Sequence, residues 1–330
     1  MHKGSRKKSF LQIAALLLAI VFIVSIVFVV GDFLEKKSGL YSGEEEDATE
    51  TILEFNDREY IPKDDVETFL VMGLDAREEI AQEESYNNNR SADFLLLLIM
   101  DHQKRSISAL EINRDTIAEM NVLGVAGEKI GTVEKQIALA HTYGNGKEVS
   151  CRNVANAVSK LLGGISVEHY ASVTMDAVPM LTDLVGGVEV TLREDFTYLD
   201  PSYEKGKTVL LKGETALEYV RGRYGLENPT NEARMKRQQE FLSALAEKMM
   251  LSIDKEGFSA DFALKISKYM VSDCSANQLE LLMNKVSAYE SLGIKEIKGE
   301  SAVAEGYMEF HPDEEALKQE IVDLFYQVKE

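Results

Sequence analysis

Arginines gather in three short segments of this chain. Arg114 sits in Asn113-Arg114-Asp115-Thr116, Arg221 and Arg223 in Tyr219-Val220-Arg221-Gly222-Arg223, and Arg234 and Arg237 in Ala233-Arg234-Met235-Lys236-Arg237-Gln238-Gln239. The formal net charge is -20, so this basic set runs against the average field of the molecule. A guanidinium presents a fixed fork of donors that fits phosphate oxygens. Five of them read as a site for a multiply charged anion. Taken singly, each is equally well explained by pairing with one of the many carboxylates, because surface ion pairs are common and weak. The set as a whole favours the anion site. Arg234 and Gln238 stand four residues apart on a predicted helix and share a face, with Arg237 close to it.

The surrounding pattern alternates strands and helices. Phe69 to Met72 is a short apolar run stopped by Gly73, which predicts a buried strand ending at a functional loop. Asp93 to Met100 and Ser106 to Ile112 predict two further strands joined through the polar turn at 101–105. Val154, Ala157, Val158, Leu161 and Leu162 repeat with helical spacing, and Gly163-Gly164 stops them. A strand is expected over 169–175, a helix over 176–185 with Asp176 as N-cap, and a strand over 188–192. Helices are expected over 212–220 and 230–250. Residues 260–290 read as helical, 292–310 as two short strands, and 313–328 as a closing amphipathic helix. The mixture predicts an α/β (α+β) fold with a central mixed sheet and helices on both faces.

These motifs are also specific as a set. Val71-Met72-Gly73-Leu74-Asp75, Arg90-Ser91-Ala92-Asp93, Asn113-Arg114-Asp115-Thr116, Asp183-Leu184-Val185-Gly186-Gly187, Leu211-Lys212-Gly213-Glu214 leading to Arg221-Gly222-Arg223, and Arg234-Met235-Lys236-Arg237-Gln238-Gln239 occur in this order. Together they resemble the LytR-CpsA-Psr family of cell-wall glycopolymer ligases. The resemblance implies transfer of a glycopolymer from an undecaprenyl-pyrophosphate carrier to peptidoglycan, leaving a phosphodiester. It places Asp75 and Asp93 at the family's metal-linked acidic positions, for Mg2+ or Mn2+. Such a cation takes one or two carboxylates, with phosphate oxygens and water completing its shell. One of the two aspartates is alternatively the base for the attacking sugar hydroxyl. Arg114 is expected at a strand end facing the cleft, with Asp115 orienting it. Arg221, Arg223, Arg234, Arg237 and Gln238 are expected on the pyrophosphate. Arg90 belongs to the same expected set, although Ala92 here intervenes in the family's Arg-Ser-Asp pattern and displaces it. Arginine forks and a divalent ion would neutralise charge as the P–O bond to the leaving phosphate breaks.

The first residues add a location. Phe10 to Val30 is uncharged and apolar, long enough at about 1.5 Å per residue to cross a hydrocarbon core of roughly 30 Å. Lys3, Arg6, Lys7 and Lys8 precede it, so the N-terminus is expected in the cytoplasm and the rest outside. The run is longer than a signal-peptide apolar region, and no clean cleavage site follows. The expected organisation is a cytoplasmic tail over 1–9, a transmembrane helix over 10–30, an acidic stalk over 31–65 and one extracytoplasmic domain over 66–330. Outside the first segment the chain is strongly acidic, which excludes a broad nucleic-acid footprint. The expected partners are a polyprenyl-pyrophosphate-linked glycopolymer, peptidoglycan and the membrane.

Cys151 and Cys274 are the two cysteines. A single bridge and two free thiols are equally compatible with an outer location. No His/Cys spacing of the metal-binding kind stands out, and no motif links His141, His169 or His311 to either cysteine as a Cys-His pair. Two rival functions remain open at this level. One is a non-catalytic wall-polymer-binding or regulatory protein, which would be expected to lose the aspartates that this chain keeps. The other is a lipid pyrophosphatase, differing only in whether water or a sugar hydroxyl attacks.

Overall fold

The computed structural model describes residues 52–329 except 77–87, 223–224, 253–257, 259–264, 276–277, 279–281, 283–284, 287–288 and 305. The expected membrane segment and the acidic run lie outside the described residues. Among those described, no helix is long and apolar enough to cross a membrane.

The strands, in chain order, are β1 (Leu53–Phe55), β2 (Arg58–Pro62), β3 (Val66–Leu74), β4 (Ala92–Asp101), β5 (Ser106–Ile112), β6 (Ile117–Leu123), β7 (Lys129–Gln136) and β8 (His169–Thr174). They continue with β9 (Val188–Thr191), β10 (Thr208–Leu211), β11 (Met270–Ser272), β12 (Glu290–Glu296), β13 (Gly299–Ala304), β14 (Tyr307–Pro312) and β15 (Tyr326–Val328). The helices are α1 (Glu148–Leu161), α2 (Ala177–Leu184), α3 (Gly213–Arg221), α4 (Asn231–Met250) and α5 (Glu314–Phe325).

A six-stranded sheet in the order β11-β8-β3-β4-β5-β12 forms the centre. It is mixed: β3 runs antiparallel to β4 and parallel to β8, and β12 runs parallel to β5. Both faces are buried, which is why β3 and β4 read as nearly continuous apolar runs. Phe69, Val71, Leu96 and Leu98 pack on one side against α2, α3 and α4. Leu70, Met72, Leu95 and Leu97 pack on the other against α1 and the segment around Ile137. The expected mixed sheet with helices on both faces is therefore present.

Local signals account for most boundaries. α1 ends as Gly163 and Gly164 take positive φ, and the Gly164 N–H returns to the Ser159 carbonyl at 2.8 Å. Thr230 caps α4 by accepting a hydrogen bond from the Ala233 N–H. Asp176 precedes α2 but makes no side-chain capping bond, because its own backbone is already helical. Gly73 does not stop β3. The strand runs on to Leu74 through a register shift, and a Cβ at Gly73 would stand 3.0 Å from Phe94 Cβ. Glycine is there for close packing, not for termination.

Four expectations change near the chain's ends. Residues 53–62, assigned to the stalk, form β1 and β2, and β2 pairs antiparallel with β15. The closing helix stops at Phe325 and hands over to β15. The span 292–310 falls across three strands, β12, β13 and β14. Within 260–290, Met270–Ser272 is the edge strand of the central sheet.

The most deeply buried carboxylate among the described residues lies in this frame. Glu111 of β5 is 1% exposed, lies opposite Glu296 of β12 and accepts a hydrogen bond from Gln239 of α4. Burial pushes its carboxyl up to about 7; Glu296 pushes the same way, while Gln239 and Arg234 oppose. A folded value above the unfolded one gives stability that is full below about pH 4.5 and lost as pH rises through about 7. Glu111→Gln is neutral at every pH and should remove that loss. Urea midpoints at pH 5 and pH 8 check this: the parent should fall between them by more than the variant.

Candidate active site

The charged residues converge where β3 and β5 end and β4 begins. Past the end of β3 the chain stays beside β4, because the Asp75 N–H donates to the Ser91 carbonyl at 2.9 Å. That bond sets Asp75 beside Ser91, two residues before Asp93. Asp93 is buried, and its Oδ1 accepts the Ser91 hydroxyl at 2.8 Å. Its Oδ2 is held closely by Arg114 Nη1 and lies 3.6 Å from Arg234 Nη1.

Arg114 reaches this carboxylate from a turn built by its neighbours. Asn113 Oδ1 accepts the Asp115 N–H at 3.0 Å, and the Thr116 hydroxyl donates to the Asn113 carbonyl at 2.6 Å. Asp115 stands 3.5 Å from Arg114 Nε and also accepts from Gln136 at 3.0 Å. Asp115 thus stands beside Arg114 as an ion-pair neighbour. Asn113 Oδ1 further accepts Asn231 Nδ2 at 2.7 Å, and Asn231 Oδ1 accepts Arg234 Nη2 at 2.7 Å. This Asn113–Asn231–Arg234 chain locks the start of α4 to the end of β5. Sequence reasoning gave Asn231 no role. Its signal was the i, i+3 spacing to Arg234 just after the Thr230 cap.

Arg221 stands at the C-terminal end of α3 and donates to Asp75 Oδ1 at 2.9 Å. Both side chains are about one-third exposed, at 31% and 39%. A pair this exposed contributes little to stability, roughly 0.2–1 kcal/mol. Asp93 and its partner Arg234, by contrast, are buried, and its other partner Arg114 is largely so.

Arg237 is buried beside the turn that follows α3. Its guanidinium stacks over Phe196 and Tyr219, at 5.3 Å and 5.8 Å, donates to the Gly222 carbonyl and lies 3.8 Å from Glu194. It therefore anchors the turn that carries Arg221. The aromatic seats were invisible from sequence, because Phe196 and Tyr219 read as ordinary core. Arg223 lies outside the described residues. Arg90 is buried, with its N–H bound to Asn88 Oδ1 and its carbonyl accepting from His141 Nδ1 at 2.7 Å.

His141 also approaches Cys151 Sγ at 3.8 Å, and that thiol donates to Ser172 Oγ at 3.3 Å. Burial pushes the imidazole down to about 4 and the thiol up to about 12. Both groups are thus neutral and sealed, not a thiolate–imidazolium pair, and they serve as internal bracing for the Arg90 segment. Both cysteines are free.

Gln238 donates to the Val220 carbonyl at 3.3 Å and lines an apolar cavity of about 140 Å³ with Gly73, Phe94, Val220, Phe241 and Leu245. The cavity lies between the sheet and α2 and α4. Its lining adjoins the charged set residue by residue: Gly73 is near Asp75, Phe94 follows Asp93, and Val220 precedes Arg221. The arrangement suits an amphiphile whose anionic head meets arginines while its apolar part enters the cavity.

The LytR_cpsA_psr family model matches residues 32–324. Over 156 residues the chain is 31% identical to the polyisoprenyl-teichoic acid–peptidoglycan teichoic acid transferase TagU of Halalkalibacterium halodurans, covering 47% of this chain and 44% of that protein. The match thus spans less than half of that relative. The same-named transferase of Enterococcus faecalis is 24% identical over 251 residues, 75% of either chain. A solved structure of TagT bound to LIIa-WTA shares the fold with a TM-score of 0.58 at 21% identity, covering 86% of this chain and 98% of that one. With the family model spanning most of its length, this chain belongs to the LytR_cpsA_psr family.

Proposed function

We propose that this protein is a membrane-anchored phosphotransferase that moves a glycopolymer from a polyprenyl-pyrophosphate carrier to peptidoglycan. The observation that carries the reading is an apolar cavity whose lining residues Gly73, Phe94 and Val220 are chain neighbours of Asp75, Asp93 and Arg221, with Arg221 paired to Asp75 and Arg114 and Arg234 to Asp93. A diphosphate on an isoprenoid tail matches both parts. The relatives' names, as teichoic acid transferases, support the same class of reaction.

In this reading the acceptor hydroxyl oxygen forms a new bond to the polymer-side phosphorus. The bond from that phosphorus to the carrier phosphate breaks, and polyprenyl phosphate leaves with the bonding electrons. Arg221 swings from Asp75 to the diphosphate, and Arg114 and Arg234 lend their remaining donors to the same charge. Asp75, the more exposed carboxylate, accepts the proton of the attacking hydroxyl. Gln238 sits at the junction of head and tail.

For the expected Mg2+ or Mn2+, Asp75 offers a partly exposed carboxylate, while Asp93 would have to release Arg114 or Arg234 to join it. A bound ion would add neutralising charge at the phosphate oxygens. Residues 10–30 anchor the protein, with the N-terminus in the cytoplasm and the catalytic domain outside.

Asp75→Asn should lower transfer by about 100-fold or more, the range of a lost general base, with the melting temperature nearly unchanged because the residue is exposed. Polymer joined to peptidoglycan, measured by mass spectrometry, checks this; a parent rate in the variant overturns the assignment. Release of free polymer phosphate in place of joined polymer would favour the pyrophosphatase. Polyprenyl pyrophosphate should raise the melting temperature of the parent more than the monophosphate does. Arg221→Lys keeps the charge but loses the fork, and should narrow that difference. Equal shifts in parent and variant would leave Arg221 as a structural ion pair. Protease added outside wall-stripped cells should digest the chain beyond residue 31, and full protection would reverse the topology.

A further inference from the structure

We propose that His169, Asp273 and Cys274 form a binding site for a borderline-soft divalent cation of the zinc class. The site lies at the opposite end of β3 from Asp75 and does not depend on the transferase reading. One potential ligand atom from each of the three residues lies within 4.8 Å of the others. Among the described residues, no other group of three such side chains converges in this way.

Strand pairing builds the cluster. His169 opens β8, and Asp273-Cys274 follows β11, which pairs antiparallel with β8 so that Ser272 faces Ala171. The two segments are far apart in sequence and meet only because the sheet places β11 on its edge. Asp273 is aimed by its backbone partner: Oδ1 accepts the Tyr170 N–H at 2.9 Å, leaving Oδ2 3.8 Å from His169 Nδ1. Cys274 is 2% exposed, and its N–H donates to Ser272 Oγ, which fixes the turn.

The far side of the imidazole supplies a second, independent observation. His169 Nε2 lies 3.7 Å from Glu67 Oε1. Metal-bound histidines commonly give their other ring N–H to a carboxylate, which sets the tautomer and raises ligand basicity. Glu67 is itself held at its other oxygen by His102 Nε2 at 2.8 Å, and His102 Nδ1 is 2.9 Å from the Tyr289 hydroxyl. Glu67 thus stands as a carboxylate on the Nε2 side of the ring, while Nδ1 is the nitrogen on the Asp273 side.

The donor chemistry chooses the ion. One thiolate, one carboxylate and one neutral imidazole bring two negative charges to a divalent cation. Sulfur and nitrogen donors select zinc, cobalt or a similar ion over Mg2+. Three protein ligands leave one position open. It faces a pocket lined by Glu67, His169, Cys274, Gln278, Leu282 and Lys285 and would hold water. The ion would clamp the edge strand β11 and its following turn to β8.

The test uses the full-length chain in detergent, stripped with chelator and kept reduced, titrated with Co2+. One equivalent should give a thiolate-to-Co2+ charge-transfer band, bleached by Zn2+ and unaffected by Mg2+. Cys274→Ser should abolish the band. His169→Gln should weaken Co2+ binding by at least about tenfold, and Glu67→Gln by about tenfold. Cys151→Ser and Asp75→Asn should leave it as in the parent. His169 is partly exposed, so if Cys274→Ser does not fold, His169→Gln decides, with its metal-free melting temperature as the folding control. No charge-transfer band at one equivalent, parent-like affinity in His169→Gln, or loss of the band in Cys151→Ser would each overturn the proposal.

Discussion

The site is organised by one buried carboxylate between two guanidiniums. Arg114 comes from the end of β5 and Arg234 from α4, and both meet Asp93 at the entry of β4. Bringing two cations together in a low-dielectric setting requires an anion between them, and Asp93 supplies it. Removing one member of such a group leaves an uncompensated buried charge, which costs about 3–5 kcal/mol. The Ser91 hydroxyl donates to Asp93 Oδ1, and the Asn113–Asn231 hydrogen bond ties the end of β5 to the start of α4. Three elements of different sequence origin are therefore held in one relative position, and the rest of the cleft is measured from that point.

The arginines divide their work by burial. Arg237 is seated on aromatic faces and spends a donor on the Gly222 carbonyl, so it shapes the turn. Arg221, on that turn, is partly exposed and pairs with a similarly exposed Asp75. The rigid cation behind it holds the turn that carries this weaker pair. The site therefore combines a buried, fixed charge frame with one solvent-facing ion pair.

The sheet separates two polar clusters by an apolar interior. β3 carries Glu67 near one end and leads to Asp75 past the other, roughly 26 Å apart at about 3.3 Å per residue. Between them Phe69, Leu70, Val71 and Met72 are buried on both faces. Charge at one end is thereby insulated from charge at the other, and each cluster has its own set of neighbours.

The sequence by itself determined the parts whose signal is local. The apolar runs of β3, β4 and β5, the helical repeat of α1 with its Gly163-Gly164 stop, and the order of the arginine and aspartate motifs were all legible, because burial on two faces and helical periodicity are written into adjacent residues. Only the tertiary structure decided the parts that depend on distant pairing. β2 is short and half-exposed; besides its local hairpin partner β1 it is joined by β15, from the other end of the chain. Arg237 packs over the Phe196 and Tyr219 rings, whose nearness no spacing announced. His169 meets Asp273 and Cys274 through the edge pairing of β11 on β8. Hydrogen-bonded strand register supplies the first and third of these contacts and packing around α3 and α4 the second, and in none of them does local propensity name the partner.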